Sequence, residues 1–346
     1  EIGGVRNWDY RYCWLRDAAL TASALVSLGS TSEAEAYLGW VHDVLATVPG
    51  PERLHPLYTL WGQTLPPEAV IDVLPGYAGS RPVRVGNAAN QQVQLDVFGP
   101  IVDLIHTLAA TRTAAGVTDP AVALPDRDWE LVRAMVDAVE RRWAEPDHGI
   151  WEIRGNPRHH VYSKVMCWLT VDRALTLAET YGREAQLGWT TLRDVIAQQV
   201  REQGWNDEAQ SYTAAYDGTD LDAATLHIGL SGLIEPDDPR FQATVLATEA
   251  ELRSGATVYR YHHDDGLPGG EGGFHLCAAW LVEAYLLIGQ RQPAEALFTQ
   301  LVAAAGPTGL LSEEYDPVAE RSLGNHPQAY SHLGLLRCAQ LLSAER

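Results

Sequence analysis

Two acidic side chains beside aromatic residues are the first candidates for catalytic chemistry in this sequence. Glu152 directly follows Trp151, and Glu313 begins the run 313–316, in which three acids surround one tyrosine. Burial in apolar surroundings raises the pKa of a carboxyl group towards the range in which it can act as an acid. Taken alone, each acid is better explained as part of an exposed turn. As a pair, they are the groups that cleavage of a glycosidic bond requires: one carboxylic acid and one carboxylate, with no cofactor.

Two further clusters combine arginine with aromatic or acidic residues. Residues 6–17 end in the pair Arg16 and Asp17, and Arg260 lies between two tyrosines. Guanidinium and carboxylate groups together supply the donors and acceptors that bind sugar hydroxyls. A structural salt-bridge network at a helix entrance explains the first cluster equally well. The sequence alone leaves both interpretations open.

The run 262–265, His-His-Asp-Asp, does not predict a metal site. Consecutive residues point in different directions and lack the spacing of known ligand sets. The glycine-rich run 269–272 also lacks the pattern of a phosphate-binding loop. We therefore expect no metal and no other cofactor.

Composition narrows the classes of partner. The 346 residues carry a formal net charge of −20, which opposes binding to nucleic acid or to an anionic membrane surface. No uncharged apolar run approaches the length of a membrane span. The four cysteines are far apart and form no metal-binding or redox motif, which is typical of a reducing compartment. We expect a cytoplasmic protein that acts on a small-molecule or oligosaccharide substrate, and the sequence leaves its oligomeric state open.

Helical periodicity dominates the whole chain. It predicts about eleven helices and almost no strands, with Ser32 as an N-cap and Gly29 and Gly182 as stop signals. The predicted helices cover residues 17–28, 32–45, 88–113, 128–143, 163–181, 184–203, 221–230, 240–253, 273–287, 293–305 and 329–343.

The connections between these helices alternate between short and long. Short links alternate with long segments rich in Gly, Pro or His at 48–86, 145–162, 255–272 and 306–328. Long loops in a compact domain usually carry function, and three of these four contain the clusters described above. Helical hairpins with long loops on one side predict an all-α barrel of paired helices in a single domain. A twelfth helix, needed for six hairpins, is expected before residue 1.

The same segments resemble glycoside hydrolase family 15, the glucoamylase, glucodextranase and trehalase family, in its bacterial form. The resemblance covers essentially the whole chain, in order. It rests on GVRNWDYRYCWLRD (4–17), GSRPVRVGN (79–87), GIWE (149–152), YSK (162–164), GGEG (269–272), EEYDP (313–317) and GN (324–325).

The resemblance implies an (α/α)6 barrel of six helical hairpins, with the family's first helix and its N-terminal β-sandwich domain outside residues 1–346. It implies Glu152 as general acid, Glu313 as general base and Tyr10 near the catalytic water. The residues that it implies for substrate binding are Arg16, Asp17, Trp14, Trp151, Arg260 and Glu314.

The implied reaction is exo-acting hydrolysis of α-glucosides with inversion, which releases β-glucose from the non-reducing end of glucoamylase-type substrates. Inversion requires two carboxyl groups about 6.5–9.5 Å apart, with room for one water. An α,α-trehalase, or an isomaltose- or dextran-directed enzyme, would use the same two carboxyls. A catalytically silent sugar-binding module is the alternative outside the enzymes, because a fold can outlast its chemistry.

Overall fold

The computed structural model describes residues 2–344, which form two compact units rich in helix. The N-terminal unit comprises Arg11–Leu65 and Ala88–Glu202. The C-terminal unit comprises residues 2–10, Pro66–Asn87 and 203–344. The all-α class predicted from the sequence is confirmed, since every element of eight residues or more in the described residues is an α-helix.

In the N-terminal unit, α3 and α6 are buried on most sides, whereas α5 places apolar residues on one face and charges on the other. α3 packs against α1, α5 and α6. The elements of this unit are β1 (Cys13–Trp14), α1 (Leu15–Ser27), α2 (Ser32–Leu45), β2 (Leu57–Tyr58), α3 (Phe98–Ala114), α4 (Pro120–Ala123), α5 (Asp126–Arg142), α6 (Val161–Tyr181) and α7 (Trp189–Gln203).

In the C-terminal unit, α10 is the central helix, buried from His275 to Tyr285 and packed against α11 and α12. The elements are β3 (Ala69–Val70), β4 (Arg84–Val85), β5 (Trp205–Asn206), β6 (Ser211–Tyr212), α8 (His227–Leu230), α9 (Pro239–Leu252), β7 (Arg253–Ser254), β8 (Thr257–Val258), β9 (Gly273–Phe274), α10 (His275–Leu287), α11 (Arg291–Ala304), β10 (Glu314–Asp316), β11 (Arg321–Leu323) and α12 (Ala329–Ala344).

Short strands are the main departure from the sequence-based expectation. Two long loops of the C-terminal unit meet in a five-stranded antiparallel sheet of order β11-β10-β9-β8-β7. Each of these strands has only two or three residues, too few to produce the alternation by which strands are recognised in a sequence. This sheet holds the acidic run that begins at Glu313.

Most predicted helices are confirmed within a few residues, and α2 has the predicted bounds. The prediction for 88–113 was wrong at its start, because residues Ala88–Gln91 and Leu95–Val97 form short 3-10 turns and α3 begins only at Phe98. The prediction for 184–203 began too early, since Gly188 has a φ of +100° and α7 starts after it. The segment predicted as a helix over 221–230 is a 3-10 turn followed by the single turn of α8.

The N-cap assignment of Ser32 was also wrong. Thr31 occupies the N-cap position without a side-chain capping bond, and Ser32 is the first helical residue. The Ser32 hydroxyl donates to the Glu33 carboxylate instead (2.8 Å). Gly29 and Gly182 do end helices, both in left-handed conformation.

Among residues 2–344, no helix is both long enough and apolar enough to cross a membrane. The first barrel helix expected before residue 1 lies outside the described residues.

Candidate active site

Glu313 lies directly before β10 and is held by a tight hairpin of the C-terminal unit. Its backbone N–H donates to the Asn325 carbonyl (2.8 Å), and the Asn325 N–H donates to Glu313 Oε2 (3.0 Å). The Tyr10 hydroxyl lies 3.0 and 3.2 Å from the two carboxylate oxygens. Gly324 has a φ of +70°, and a Cβ there would lie 2.7 Å from Glu313 Oε2. The Gly324–Asn325 turn is therefore shaped around this carboxylate.

The neighbouring carboxyl, Glu314, is in a different electrostatic environment. It accepts one hydrogen bond, from the Gly272 N–H (2.8 Å). Burial, with Glu313 and Glu271 nearby, raises the pKa of Glu314 to about 8. Burial also raises the pKa of Glu313, but the Asn325 N–H, the Tyr10 hydroxyl and the Arg260 charge oppose that rise. Of the two carboxyls, Glu314 is therefore the one that holds a proton more strongly, and Glu313 has more contacts that favour its ionised form.

The charge of Arg260 opposes the rise in pKa of both carboxyls, and its own position is fixed by Glu271. Two guanidinium nitrogens of Arg260 donate to the Glu271 carboxylate, one at 3.1 Å and the other closer. Arg6 donates to the same carboxylate (2.7 Å) and to Asp265 (2.6 Å). The Arg260 guanidinium lies 4.5 Å from the centroid of Phe274. Glu271 therefore bridges two arginines and fixes the position of the Arg260 charge that acts on the carboxyl pair.

This network includes residues that the sequence analysis did not single out. Arg6, Asp265 and Glu271 belong to motifs quoted above, but nothing local indicated that they would meet. Arg6 is about 260 positions away in sequence from both Asp265 and Glu271. In the run 262–265, Asp265 pairs with Arg6 and accepts from the Tyr261 hydroxyl (3.0 Å).

Glu152 of the N-terminal unit lies in a turn with left-handed backbone, at φ +58°. Its Oε1 accepts from Trp14 Nε1 (2.7 Å) and from Gln94 Nε2 (3.2 Å). Arg16 Nη2 lies 4.0 Å from the same oxygen. Burial raises the pKa of Glu152, and the Arg16 charge and the two hydrogen bonds oppose that rise. The indole that contacts this carboxyl is Trp14, whereas the sequence suggested its chain neighbour, Trp151, which is half-buried.

The pair Arg16 and Asp17 is an ion pair with additional internal partners. Arg16 is buried, and its Nη2 lies 3.2 Å from Asp17 Oδ2. Its Nη1 donates to Asp96 (2.8 Å) and to Gln94 Oε1 (3.2 Å). The side chain of Asp17 remains one-third exposed. Arg16 is thus the member of the pair with internal partners, and Asp17 is the member that solvent can reach; the substrate-binding role of both stays a prediction.

The loop that carries Glu152 is closed at its base by backbone and side-chain bonds. Asp147 and Arg158 exchange both backbone hydrogen bonds (2.8 Å each). Lys164, fully buried, donates to the Trp143 and Glu145 carbonyls (2.5 Å each). These contacts fix both ends of the loop before it reaches Glu152.

Asp147 is a buried acid that the sequence analysis missed. It accepts from the Leu95 N–H (3.0 Å) and from the Ser163 hydroxyl (2.7 Å). Burial and the nearby Asp96 raise the pKa of Asp147 to about 7. A lone Asp beside Pro146 and His148 gives no sequence signal of burial.

Each unit thus assembles its own set of predicted residues. The N-terminal unit brings together Trp14, Arg16, Asp17 and Glu152, and the C-terminal unit brings together Tyr10, Arg260, Glu313 and Glu314. Each set contains a carboxyl that accepts hydrogen bonds from side chains, and the charge of an arginine acts on that carboxyl, which is an arrangement suited to acid–base chemistry. Their roles remain predictions.

Comparison with known proteins gives a consistent result. The profile of the glycosyl hydrolases of family 15 matches residues 4–340. The trehalase of Mycobacterium tuberculosis is 39% identical over 340 residues, which cover 96% of this chain and 48% of that protein. The trehalase of Thermoplasma volcanium is 37% identical over 343 residues, covering 99% of this chain and 53% of that protein. The chain therefore spans about half the length of these curated relatives.

Comparison with solved structures identifies the fold. The glucoamylase of Hormoconis resinae superimposes with a TM-score of 0.75 at 14% identity, covering 98% of this chain and 67% of that one. At this identity the likeness shows the fold alone. Glucoamylases have an (α/α)6 barrel fold, so the predicted fold class is confirmed.

Proposed function

Because this chain belongs to the glycosyl hydrolases of family 15, we propose that it hydrolyses α,α-trehalose to two glucose molecules by an inverting mechanism. The observation that carries this proposal is the similarity to curated trehalases over nearly the whole chain. The sequence alone favoured a glucoamylase-type substrate and kept trehalose as the alternative. The relatives now favour that alternative.

Glu152 is the proposed general acid. Burial raises its pKa, which favours the protonated form that can give a proton to the oxygen of the breaking bond. After transfer, Trp14 Nε1, Gln94 Nε2 and the Arg16 charge stabilise the carboxylate that remains.

Glu313 is the proposed general base. Two hydrogen-bond donors and the Arg260 charge favour its ionised form, and Glu314 beside it keeps a proton at neutral pH. The carboxylate then removes a proton from the water that attacks the anomeric carbon. Tyr10, which donates to Glu313, is proposed to orient that carboxylate and the water.

The remaining predicted residues are proposed to bind the sugar. Asp17 is the accessible acceptor for glucose hydroxyls, and Arg16 holds it in place. Trp14 and Trp151 are proposed as walls for the sugar ring, since indoles present flat apolar faces. Arg260 and Glu314 are proposed as the polar contacts of the C-terminal unit.

A substrate panel tests the proposal directly. We expect kcat/KM for trehalose to exceed the values for maltose, maltotriose and isomaltose. A preference for maltooligosaccharides would restore the glucoamylase-type assignment, and a preference for isomaltose would indicate a dextran-directed enzyme. Glucose binding by calorimetry, with no turnover of any of these sugars, would indicate a sugar-binding module.

The anomers of the first product test inversion. Attack inverts one anomeric carbon of trehalose and leaves the departing glucose unchanged, so we expect equal amounts of β- and α-glucose before mutarotation. Proton NMR at early times distinguishes this from retention, which would give α-glucose alone.

Activity of residues 1–346 by themselves would assign the chemistry to the half of the relatives' length that matches this chain. The cytoplasmic location stays a prediction, which fractionation of host cells would check.

A further inference from the structure

The backbone after Glu152 is held by a single glutamine. Gln92 Nε2 donates to the carbonyl of Glu152 (3.0 Å) and to the carbonyl of Ile153 (3.3 Å). Non-glycine residues rarely adopt the left-handed conformation that Glu152 has, so such a turn requires support from its surroundings. Gln92 provides that support without touching the carboxyl group.

Within residues 2–344, the hydrogen bonds to the Glu152 carboxyl reach one of its two oxygens. Trp14 Nε1 (2.7 Å) and Gln94 Nε2 (3.2 Å) both donate to Oε1, and Arg16 Nη2 is 4.0 Å from that atom. Oε2 accepts no hydrogen bond from any residue in the range 2–344 that the structure describes.

The orientation of the Gln94 amide follows from its partners. Gln94 is buried, and its Oε1 accepts from Arg16 Nη1 (3.2 Å), a group that can only donate. Its Nε2 therefore faces the other way, where it donates to Gln92 Oε1 (3.1 Å) and to Glu152 Oε1. Asp96 holds Arg16 Nη1 at 2.8 Å. A flipped amide would place an N–H against the guanidinium, so the buried network determines which end of Gln94 meets Glu152.

We propose that Gln92 and Gln94 are positioning residues that fix the Glu152 turn and direct its acidic proton to Oε2. A neutral carboxyl has one O–H, and a proton on Oε1 would oppose two N–H donors. The proton on Oε2 faces none of them and is the one available to the departing oxygen. This inference rests on the proposed role of Glu152 as the general acid.

Three charged groups of the same unit act on this carboxyl or its partners. The Arg16 charge favours the ionised form of Glu152, and the Asp17 charge disfavours it. Asp96 acts through its bond to Arg16. The Gln94 bond also favours the ionised form, so its loss raises the pKa of Glu152.

Leaving-group dependence provides the first test. Departure of glucose from trehalose requires a proton, whereas departure of fluoride from α-glucosyl fluoride depends on one far less. We expect Gln94→Leu and Gln92→Leu to lower kcat for trehalose by about 10- to 100-fold, part of what general acid catalysis contributes. We expect kcat for α-glucosyl fluoride to fall by less than about threefold. Gln198→Leu is the matched control, because Gln198 is an exposed residue of α7 that bonds only Glu202 in the described structure, and it should behave as wild type.

The pH profile provides the second test and separates the two glutamines. The alkaline limb of kcat/KM reports the group that must be protonated, here Glu152. Loss of one neutral donor should move this limb upward by about 0.5–1 pH unit in Gln94→Leu. Gln92 does not touch the carboxyl, so the limb of Gln92→Leu should stay in place while its kcat for trehalose falls.

Gln94→Glu keeps the test decisive if Gln94→Leu does not fold. It retains the size of the side chain and an acceptor for Arg16, but it removes the donor to Glu152. We expect kcat to fall for trehalose and much less for α-glucosyl fluoride, as in Gln94→Leu, and the alkaline limb of kcat/KM to move to higher pH.

The outcomes separate this inference from the proposed function. Equal losses on both substrates, with an unmoved limb in the Gln94 variants, would overturn the positioning role while leaving the trehalase assignment intact. A wild-type enzyme that cleaves neither substrate would overturn the proposed function, and this inference with it.

Discussion

Glu313 and Glu314 are adjacent in sequence, yet the residues around them favour protonation of Glu314 more than protonation of Glu313. Consecutive side chains at a strand point in opposite directions, so neighbouring residues have separate environments. Glu313 faces Tyr10 and the Asn325 N–H, whereas Glu314 has one backbone donor and two nearby carboxyls. A sequence shows two equivalent acids here, and only the contacts distinguish them.

Amide substitutions should reveal this difference. Glu313→Gln removes the base, and we expect kcat for trehalose to fall by at least about 10²-fold. Glu314→Gln replaces a group that is already neutral at pH 7, and its amide oxygen can still accept from Gly272. We therefore expect kcat within about tenfold of wild type. Steady-state kinetics at pH 7 check both variants, and the reverse order of effects would exchange the two roles.

Asp147 should make folding stability dependent on pH. Its folded-state pKa of about 7 lies above the ordinary 3.8, so the folded protein binds one more proton between those pH values. The contribution to stability is complete below about pH 4 and is lost as the pH rises through 7. At most about 1.4 kcal/mol is lost per pH unit in that window, or about 2–4 kcal/mol in total.

Asp147→Asn should remove this loss. Its amide oxygen can accept from Leu95 and Ser163, and its NH₂ group takes the place of Oδ1, which has no hydrogen-bond partner among the described residues. We expect the free energy of unfolding, from urea titrations, to fall less between pH 4 and pH 8 in this variant than in wild type. Asp237→Asn, at an exposed position, is the control. Parallel pH curves for wild type and Asp147→Asn would contradict a buried, protonated Asp147.

At the scale of elements, the hairpin formed by β10 and β11, with the turn after it, holds the Glu313 side chain in place. Gly324→Ala would place a methyl group against Glu313 Oε2, and its φ of +70° is unfavourable for alanine. We expect kcat to fall by about tenfold or more as the carboxylate is displaced, since small misplacements of catalytic groups are costly.

Gly309→Ala separates strain from displacement. Gly309 has almost the same φ, +69°, with open space where a Cβ would be. Both variants should lose about 1 kcal/mol of stability, but only Gly324→Ala should lose kcat. Equal kcat values for the two variants would show that the turn does not position the base.

The elements that the sequence predicted well are helices with a periodic apolar pattern or a local stop signal. Helices such as α2 and α12 show an apolar stripe or a stop signal, and they were predicted nearly at their bounds. The stretch 88–97 also reads as helical, but Gln94 and Asp96 are drawn into the network around Arg16 and Glu152 instead. Such long-range polar pairing overrides local propensity and leaves no local signal.

The same limit applied to the site. The family motifs identified Glu152, Glu313, Tyr10, Arg16, Asp17 and Arg260, because they occur in dense, unusual segments. Gln92, Gln94 and Glu271 contact these residues from other segments of the chain, and Asp147 is buried at the base of the loop that carries Glu152. Their residue types are ordinary at a surface, and only burial distinguishes them.

At the scale of the whole molecule, the formal charge of −20 should matter little to the reaction. A neutral disaccharide gains nothing from a long-range field, and added salt screens only interactions between charges. We expect kcat/KM for trehalose to change by less than about twofold between 20 mM and 500 mM NaCl. A steep dependence on salt would indicate a charged substrate or a charge-dependent assembly. Stopped assays at constant pH measure it.

Because Glu152 has a left-handed backbone, the residue that best stabilises the fold at this position differs from the residue that the proposed reaction needs. Glycine adopts that conformation freely, so Glu152→Gly should relieve strain of about 1 kcal/mol while abolishing the proposed acid. Selection of variants for heat resistance alone would therefore reward loss of the reaction at this residue. A thermostabilisation programme for this enzyme has to exempt Glu152, and it should score turnover alongside melting temperature from the first round.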